Sequence, residues 1–208
     1  DSSNLTRILR VTPAGDDAND GLTWATAKRT GGGAVATSLA GDEIWVAKGT
    51  YVGCITLPIG VALYGGFNGS EADRGQRDWA SNVTILDGNQ AGTVVTADWY
   101  GAVVDGFTIR NGHGAAGGGI KTSGSAVIAN NVVAGNTSDL GGGGILVLNG
   151  AADIARNVIR DNIATSDGGG GVSTGSGTTV RLLDNVVTGN RALGSGGIFA
   201  RSSVSVSA

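Results

Sequence analysis

Residues 126–145 read AVIANNVVAGNTSDLGGGGI, and the stretches on either side repeat the pattern: AVVDGFTIRNGHGAAGGGI over 102–120, ADIARNVIRDNIATSDGGGGV over 152–172 and VRLLDNVVTGNRALGSGGI over 180–198. Each copy opens on an alternating apolar pair, Ala102/Val104, Ala126/Ile128, Ala152/Ile154 or Val180/Leu182. Three residues later stands Phe107, Asn131, Asn157 or Asn185, and two beyond it an aliphatic, Ile109, Val133, Ile159 or Val187. Three further on comes Gly112, Asn136, Asn162 or Asn190. A variable loop then leads into paired glycines and Ile120, Ile145, Val172 or Ile198. The steps from Ala102 to Ala126, Ala152 and Val180 are 24, 26 and 28 residues in turn. That length holds three short strands, each too short to be stable alone but able to pair with its copies when the repeats stack.

The pattern predicts an all-β fold: a right-handed parallel β-helix, a solenoid of about six coils. Each coil advances by one strand spacing, about 4.8 Å, so equivalent positions stack into ladders. Ile128, Ile154 and Leu182 are expected to form one inward ladder, and Val133, Ile159 and Val187 another. Asn131, Asn157 and Asn185, with Asn136, Asn162 and Asn190, read as structural ladders. A side-chain amide at a sharp bend satisfies backbone groups that the turn leaves unpaired, and stacked amides bond along the axis. The paired glycines are expected to supply positive φ.

Upstream the same grammar runs with longer loops. Residues 44–46, 54–57 and 61–64 read as strands, 68–82 as an insertion, and 83–86 and 93–95 as strands again. Residues 22–40 do not alternate. They predict a short helix closing near Gly41, with the triple glycine 31–33 counting against its N-terminal half. Such a helix would cap the first coil. The expected organisation is an N-terminal strand, loop and capping helix over 1–41 and the β-helix over 42–208.

Composition agrees. There are 39 Gly but only 2 Pro among 208 residues, which excludes collagen. A net charge of −3 without a basic run argues against nucleic acid. No apolar stretch approaches the roughly 20 residues of a membrane span. A lone Cys54 forms no internal disulfide and is expected to be a small core residue. The chain begins at Asp1 and contains no Met, so processing such as signal-peptide cleavage, and hence a secreted or cell-surface protein, is expected. At the other end the sequence stops partway through a coil. A shortened chain, a longer one, or end-to-end contact with a second copy is expected there.

The opening, RVTPAGDDANDGLTWATAKRT over 10–30 and AGDEIWVAKGTY over 40–51, resembles that of secreted bacterial β-helix proteins of the pectate-lyase-like superfamily. The Gly-Gly-aliphatic motifs resemble the repeats of chlamydial polymorphic outer membrane proteins, although the companion Phe-x-x-Asn motif here has Val or Ile in place of Phe. The resemblance implies the fold, and a surface or polysaccharide-related role.

Chemistry is sparse. Asp105, Asp139, Asp153, Asp161, Asp167 and Asp184 occupy different slots and form no stacked carboxylate cluster. No catalytic residue is identified. Arg110 and Arg160 share a slot with Ala134 between them, a weak basic stripe about 9.6 Å apart. His113, the only histidine, has no evident partner. Asp16, Asn19 and Asp20, with Gly21, partly match the start of a calcium loop but equally suit an ordinary turn. Arg77 and Trp79 in the insertion, with Trp99 and Tyr100 in the next loop, form the expected ligand-binding patch if both loops project alike, because an exposed Trp beside charges can stack on a sugar ring. The functional expectation is a non-enzymatic extracellular or surface protein acting in adhesion or self-assembly. The alternatives are a carbohydrate-binding or carbohydrate-cleaving module, and a scaffold whose active part lies elsewhere.

Overall fold

In a computed structural model the chain is described over residues 6–98 and 100–207. It winds into a right-handed parallel β-helix with three faces. The first face has eight strands, Ile8–Val11, Glu43–Ala47, Ala62–Phe67, Ala102–Asp105, Ala126–Ala129, Ala151–Ala155, Thr179–Leu183 and Ser203–Ser207. The second runs in six rungs from Gly49–Val52 to Val186–Thr188, and the third in six from Ile55–Thr56 to Ile198–Ala200. Six rungs make about five full turns between first and last, slightly fewer than expected. A short fourth ladder joins His113–Gly114, Thr137–Ser138 and Ile163–Ala164.

Strand alternation sends every second side chain into the coil. On the first face Leu9, Ile44, Leu63, Val104, Ile128, Ile154 and Leu182 are successive register partners and all are buried. On the second, Leu86, Ile109, Val133 and Ile159 stack in the same way. Val187, next in that row, is only half-buried. On the third, Val95, Ile120, Ile145 and Val172 are fully buried.

The two asparagine ladders stand where the repeat put them. Asn131 accepts from Phe107 N at 3.0 Å and donates to Val104 O at 2.9 Å. It also bonds Asn157 Oδ1 through both its backbone N–H and its amide, at 3.0 and 3.1 Å. Asn136 does the same with Gly112 N, Ile109 O and Asn162 Oδ1. A left-handed residue precedes each rung: Gly106, Asn130, Arg156 and Asp184 before one ladder, Asn111, Gly135, Asp161 and Gly189 before the other. Gly, Asn and Asp tolerate that conformation; Arg156, at φ 55°, is the costly member.

Four expectations are corrected. The paired glycines do not have positive φ; the residues before them, Gly117 and Gly142, do. The pairs are required by close approach instead, since a Cβ on Gly144 would lie 2.7 Å from Gly171 O. The helix is Gly31–Val35, so it starts on the triple glycine and stops well short of Gly41. Thr30 caps it, accepting from Gly33 N at 2.9 Å. Glycine is needed at 33 because a Cβ there would lie 2.3 Å from Asp17 Oδ1, which the backbone N–H groups of Arg29 and Thr30 hold in place. Cys54 is exposed, because Ile55 takes the inward position of that strand. His113 does have a partner, Asp139, with 3.0 Å between Nε2 and Oδ1 on the exposed surface.

Two substitutions separate the ladders' contributions. Ile154→Ala is expected to cost about 2–5 kcal/mol. Asn157→Ala is expected to cost about 1–3 kcal/mol for each buried group left unpaired, among them Asn131 N and Ile128 O. Equilibrium urea unfolding of both variants measures this.

Candidate functional site

The outward positions of the first face carry a cluster of aromatic and charged side chains. Trp45 and Tyr64 are register partners there, flanked by Arg10 and Asp105 in the same row. They point outward because Ile44, Val46 and Leu63, their strand neighbours, point inward. The insertion at 68–82 folds over this row. Its anchor is Glu71, whose buried carboxylate accepts from the backbone N–H groups of Asn68, Gly69 and Ser70 at 2.6, 3.0 and 3.0 Å. Trp24 ties the loop from outside by donating Nε1 to Glu71 O at 2.9 Å. Just before the insertion, Gly66 at φ +90° lets the returning loop pack against it, since a Cβ there would lie 2.7 Å from the Trp79 backbone.

Guanidinium groups and rings alternate over the face. Trp45 stacks on Phe67 with centroids 4.7 Å apart, and Trp24 tilts against Phe67 at 5.8 Å. Arg10 lies over Trp45 at 5.4 Å and over Trp24 at 5.8 Å. Arg74 lies over Tyr64 at 4.6 Å. Arg77 sits between Tyr64, at 5.1 Å, and Trp79, at 4.8 Å. Each of the two loop arginines also holds a carboxylate. Arg74 pairs with Glu43, and Arg77 pairs with Asp105 at 2.9 Å, its side chain only 9% exposed. Glu43 accepts from Trp45 Nε1 at 2.7 Å, and Tyr64 Oη accepts from Arg74 at 3.0 Å. Burial pushes the Tyr64 phenol above its ordinary value. These groups border a cavity of about 530 Å³ lined by Ile8, Glu43, Trp45, Arg74, Arg77 and Trp79, among others. Trp79 is 42% exposed.

The coil pattern behind this face matches a known family model, that of the right handed beta helix region, over residues 61–207. The chain belongs to the right-handed β-helix family. No curated protein and no solved structure matches it. The matched segment begins at the strand that carries Tyr64, so this β-helix builds its platform across the boundary: Trp24, Glu43 and Trp45 precede it, and the insertion lies within it.

Of the residues singled out from the sequence, Arg77 and Trp79 are brought together. Trp99 lies outside the described residues. Tyr100 is 66% exposed, and its carbonyl accepts from Gly60 N at 2.9 Å. It stands at the opposite end of the strand Ala102–Asp105 from Asp105, Arg77's partner, so it does not touch Trp79's platform. Glu43, Trp45, Tyr64, Asp105 and Trp24 were missed. Trp45 and Tyr64 carried a signal, since both interrupt alternating aliphatic strands at outward positions. Arg110 bonds Asp87 and Arg160 bonds Asp161, with Ala134 between them in register, so the stripe between them is neutralised.

Asp16, Asn19 and Asp20 do share one loop, and their side chains already serve donors and acceptors of this chain. Asp16 accepts from Ala18 N, Asp20 from Leu22 N and Thr26 Oγ1, and Asn19 donates to Ala27 O. The Lys28 ammonium, on a side chain 3% exposed, bonds Asp17 O and Asn19 O at 3.1 and 2.7 Å. These donors do not fit calcium well, because the loop already encloses a cation of its own. Adding calcium to the protein is expected to leave its melting temperature unchanged, while Lys28→Met should lower it; differential scanning calorimetry checks both.

The loop anchor is pH-sensitive. Burial acts to raise the Glu71 carboxyl, but the backbone N–H groups outweigh it and hold the group below its usual 4.5. A depressed carboxylate stabilises the fold fully above that ordinary value, and the contribution is lost as the pH falls below it. Trp fluorescence should therefore report loosening of the 68–82 loop on acidification below pH 4.5. Glu71→Gln should show a loosened loop already at neutral pH, with that transition absent.

Proposed function

We propose that this chain is a non-enzymatic, extracellular β-helix that binds a polysaccharide on its first face, as an adhesive or carbohydrate-holding surface. The observation that carries this reading is the exposed Trp79 ring, backed by Arg77 and set at the rim of a cavity bearing the Glu43–Arg74 pair. A sugar ring has an apolar face that stacks on an aromatic ring and hydroxyls that bond to charged groups at its edge. Arg77, locked to Asp105 and to the carbonyls of Gly65 and Asp105, fixes the Trp79 ring before a ligand arrives, which lowers the entropy cost of binding.

Binding rather than cleavage is favoured by the state of the carboxylates. Glu43 is held by Arg74 and Trp45, Asp105 by Arg77, and Asp73 caps the short helix Arg74–Gln76. A general acid needs a carboxyl group free to face the glycosidic oxygen, and these groups have ion-pair or capping partners instead. The extracellular reading draws on the family, whose members are often extracellular. Among the described residues no helix is long and apolar enough to cross a membrane.

Affinity electrophoresis through gels containing dissolved polysaccharides tests the reading. At least one polymer is expected to retard the protein. Trp79→Ala should weaken that retardation by about tenfold or more, with the circular dichroism spectrum unchanged. The retained polymer should keep its length, with no new reducing ends or unsaturated products. Absence of retardation by any polysaccharide, or shortening of the polymer, overturns it.

A further inference from the structure

The outward row beside the platform extends much farther than the platform itself. Ile8, Glu43, Ala62, Val103, Val127 and Asp153 are successive register partners across six strands of the first face. Five strand spacings place its ends about 24 Å apart along the solenoid axis. Two depressions open over this one row. The first is the platform cavity, over Ile8 and Glu43. The second, of about 330 Å³, lies over Val103, Val127 and Asp153 and is rimmed by Gly101, Ser125 and Ala151. Ala62 continues the floor between them with a small side chain, and Val127 is 41% exposed.

The charges along this trough cancel. In the first depression Glu43 and Asp73 stand against Arg74 and Arg77. Glu43 pairs with Arg74, Arg77 with Asp105, and in the second depression Asp153 pairs with Arg181 at 3.5 Å. Arg10, with no carboxylate at ion-pair distance among the described residues, is held between the Trp24 and Trp45 rings and bonds Leu22 O. A polyanion would have to compete with Glu43 or Asp105 for an arginine already engaged, and nothing else on the floor would attract it. Valine and alanine side chains, with one aromatic stacking ring beside them, suit the apolar faces of uncharged sugars.

Resting on the reading of this face as a polysaccharide surface, we propose that the ligand is a neutral linear polysaccharide lying along the solenoid axis. It stacks on Trp79, which stands beside the row at the Gly66 and Gly106 corner, and covers Val103 and Val127.

Calorimetric titration discriminates the ligand classes. The probes are the hexaoses and bioses of the cello, xylo and manno series, with polygalacturonate and alginate as acidic polymers, at about 0.05 and 0.5 M salt. A neutral hexaose is expected to bind with affinity unchanged by salt and tighter than its biose. Val127→Lys, at an exposed position, should weaken the hexaose by about tenfold and leave the biose unchanged, whereas Trp79→Ala should weaken both. Binding of the acidic polymers alone, declining with salt, overturns the neutral ligand and leaves the polysaccharide-binding face standing. Neutral binding indifferent to Val127→Lys overturns the axial course. Failure of every polysaccharide, neutral or acidic, overturns the face itself.

Discussion

A parallel coil turns its corners with backbone groups that have no strand partner, and in a solenoid those corners are buried. The amides of Asn131, Asn157 and Asn185, and of Asn136, Asn162 and Asn190, resolve this. Each accepts from, and donates to, the backbone of the coil before it, and Asn131, Asn157, Asn136 and Asn162 also bond the amide of the next. An unpaired buried amide or carbonyl is costly, whereas a continuous chain of them is self-consistent. The ladders therefore lock the coils from Ala102 onward into one rotational register. The apolar rows follow from that lock, because only in register do Ile128, Ile154 and Leu182 stand above one another.

The same constraint shapes the outside. Once the corners are fixed, every outward residue has a predictable neighbour one strand spacing away, and a flat face with straight rows results. Such a face tolerates insertions only at its corners, where a loop can leave and return without breaking the ladder. The 68–82 loop does this between the strands Ala62–Phe67 and Thr84–Asp87, hinged on Gly66 and anchored by Glu71. Its arginines reach back over the face and convert rows of ordinary side chains into a platform of alternating rings and guanidinium groups.

The platform is rigid because its parts are mutually engaged: Arg77 has a carboxylate, two carbonyls and two rings around it. Rigidity and charge neutralisation together favour a surface that recognises by stacking and shape rather than by attracting charge from a distance.

Much of this was legible beforehand for a physical reason: a repeat writes the same local solution several times, so the coil, its inward rows and its asparagine slots are visible as periodicity. Arg77 and Trp79 were legible as polar and aromatic residues in a loop on such a scaffold. The glycine pairs were legible as a motif but misread in mechanism, since close approach between coils, and not positive φ, requires them. Cys54 was misplaced by one position, which in a strand changes the face. What only the tertiary structure decided lies between non-repeating segments. Trp24 meets Glu71 47 residues away, Arg74 meets Glu43 across 31, and Arg77 the carbonyl of Asp105 across 28, while Tyr100 falls in the turn before the strand Ala102–Asp105, away from Asp105. The sequence alone determined the solenoid, because its interactions recur at a fixed spacing. The assembly of the platform depended on the path of one aperiodic loop, and that path follows from close contacts which no spacing encodes.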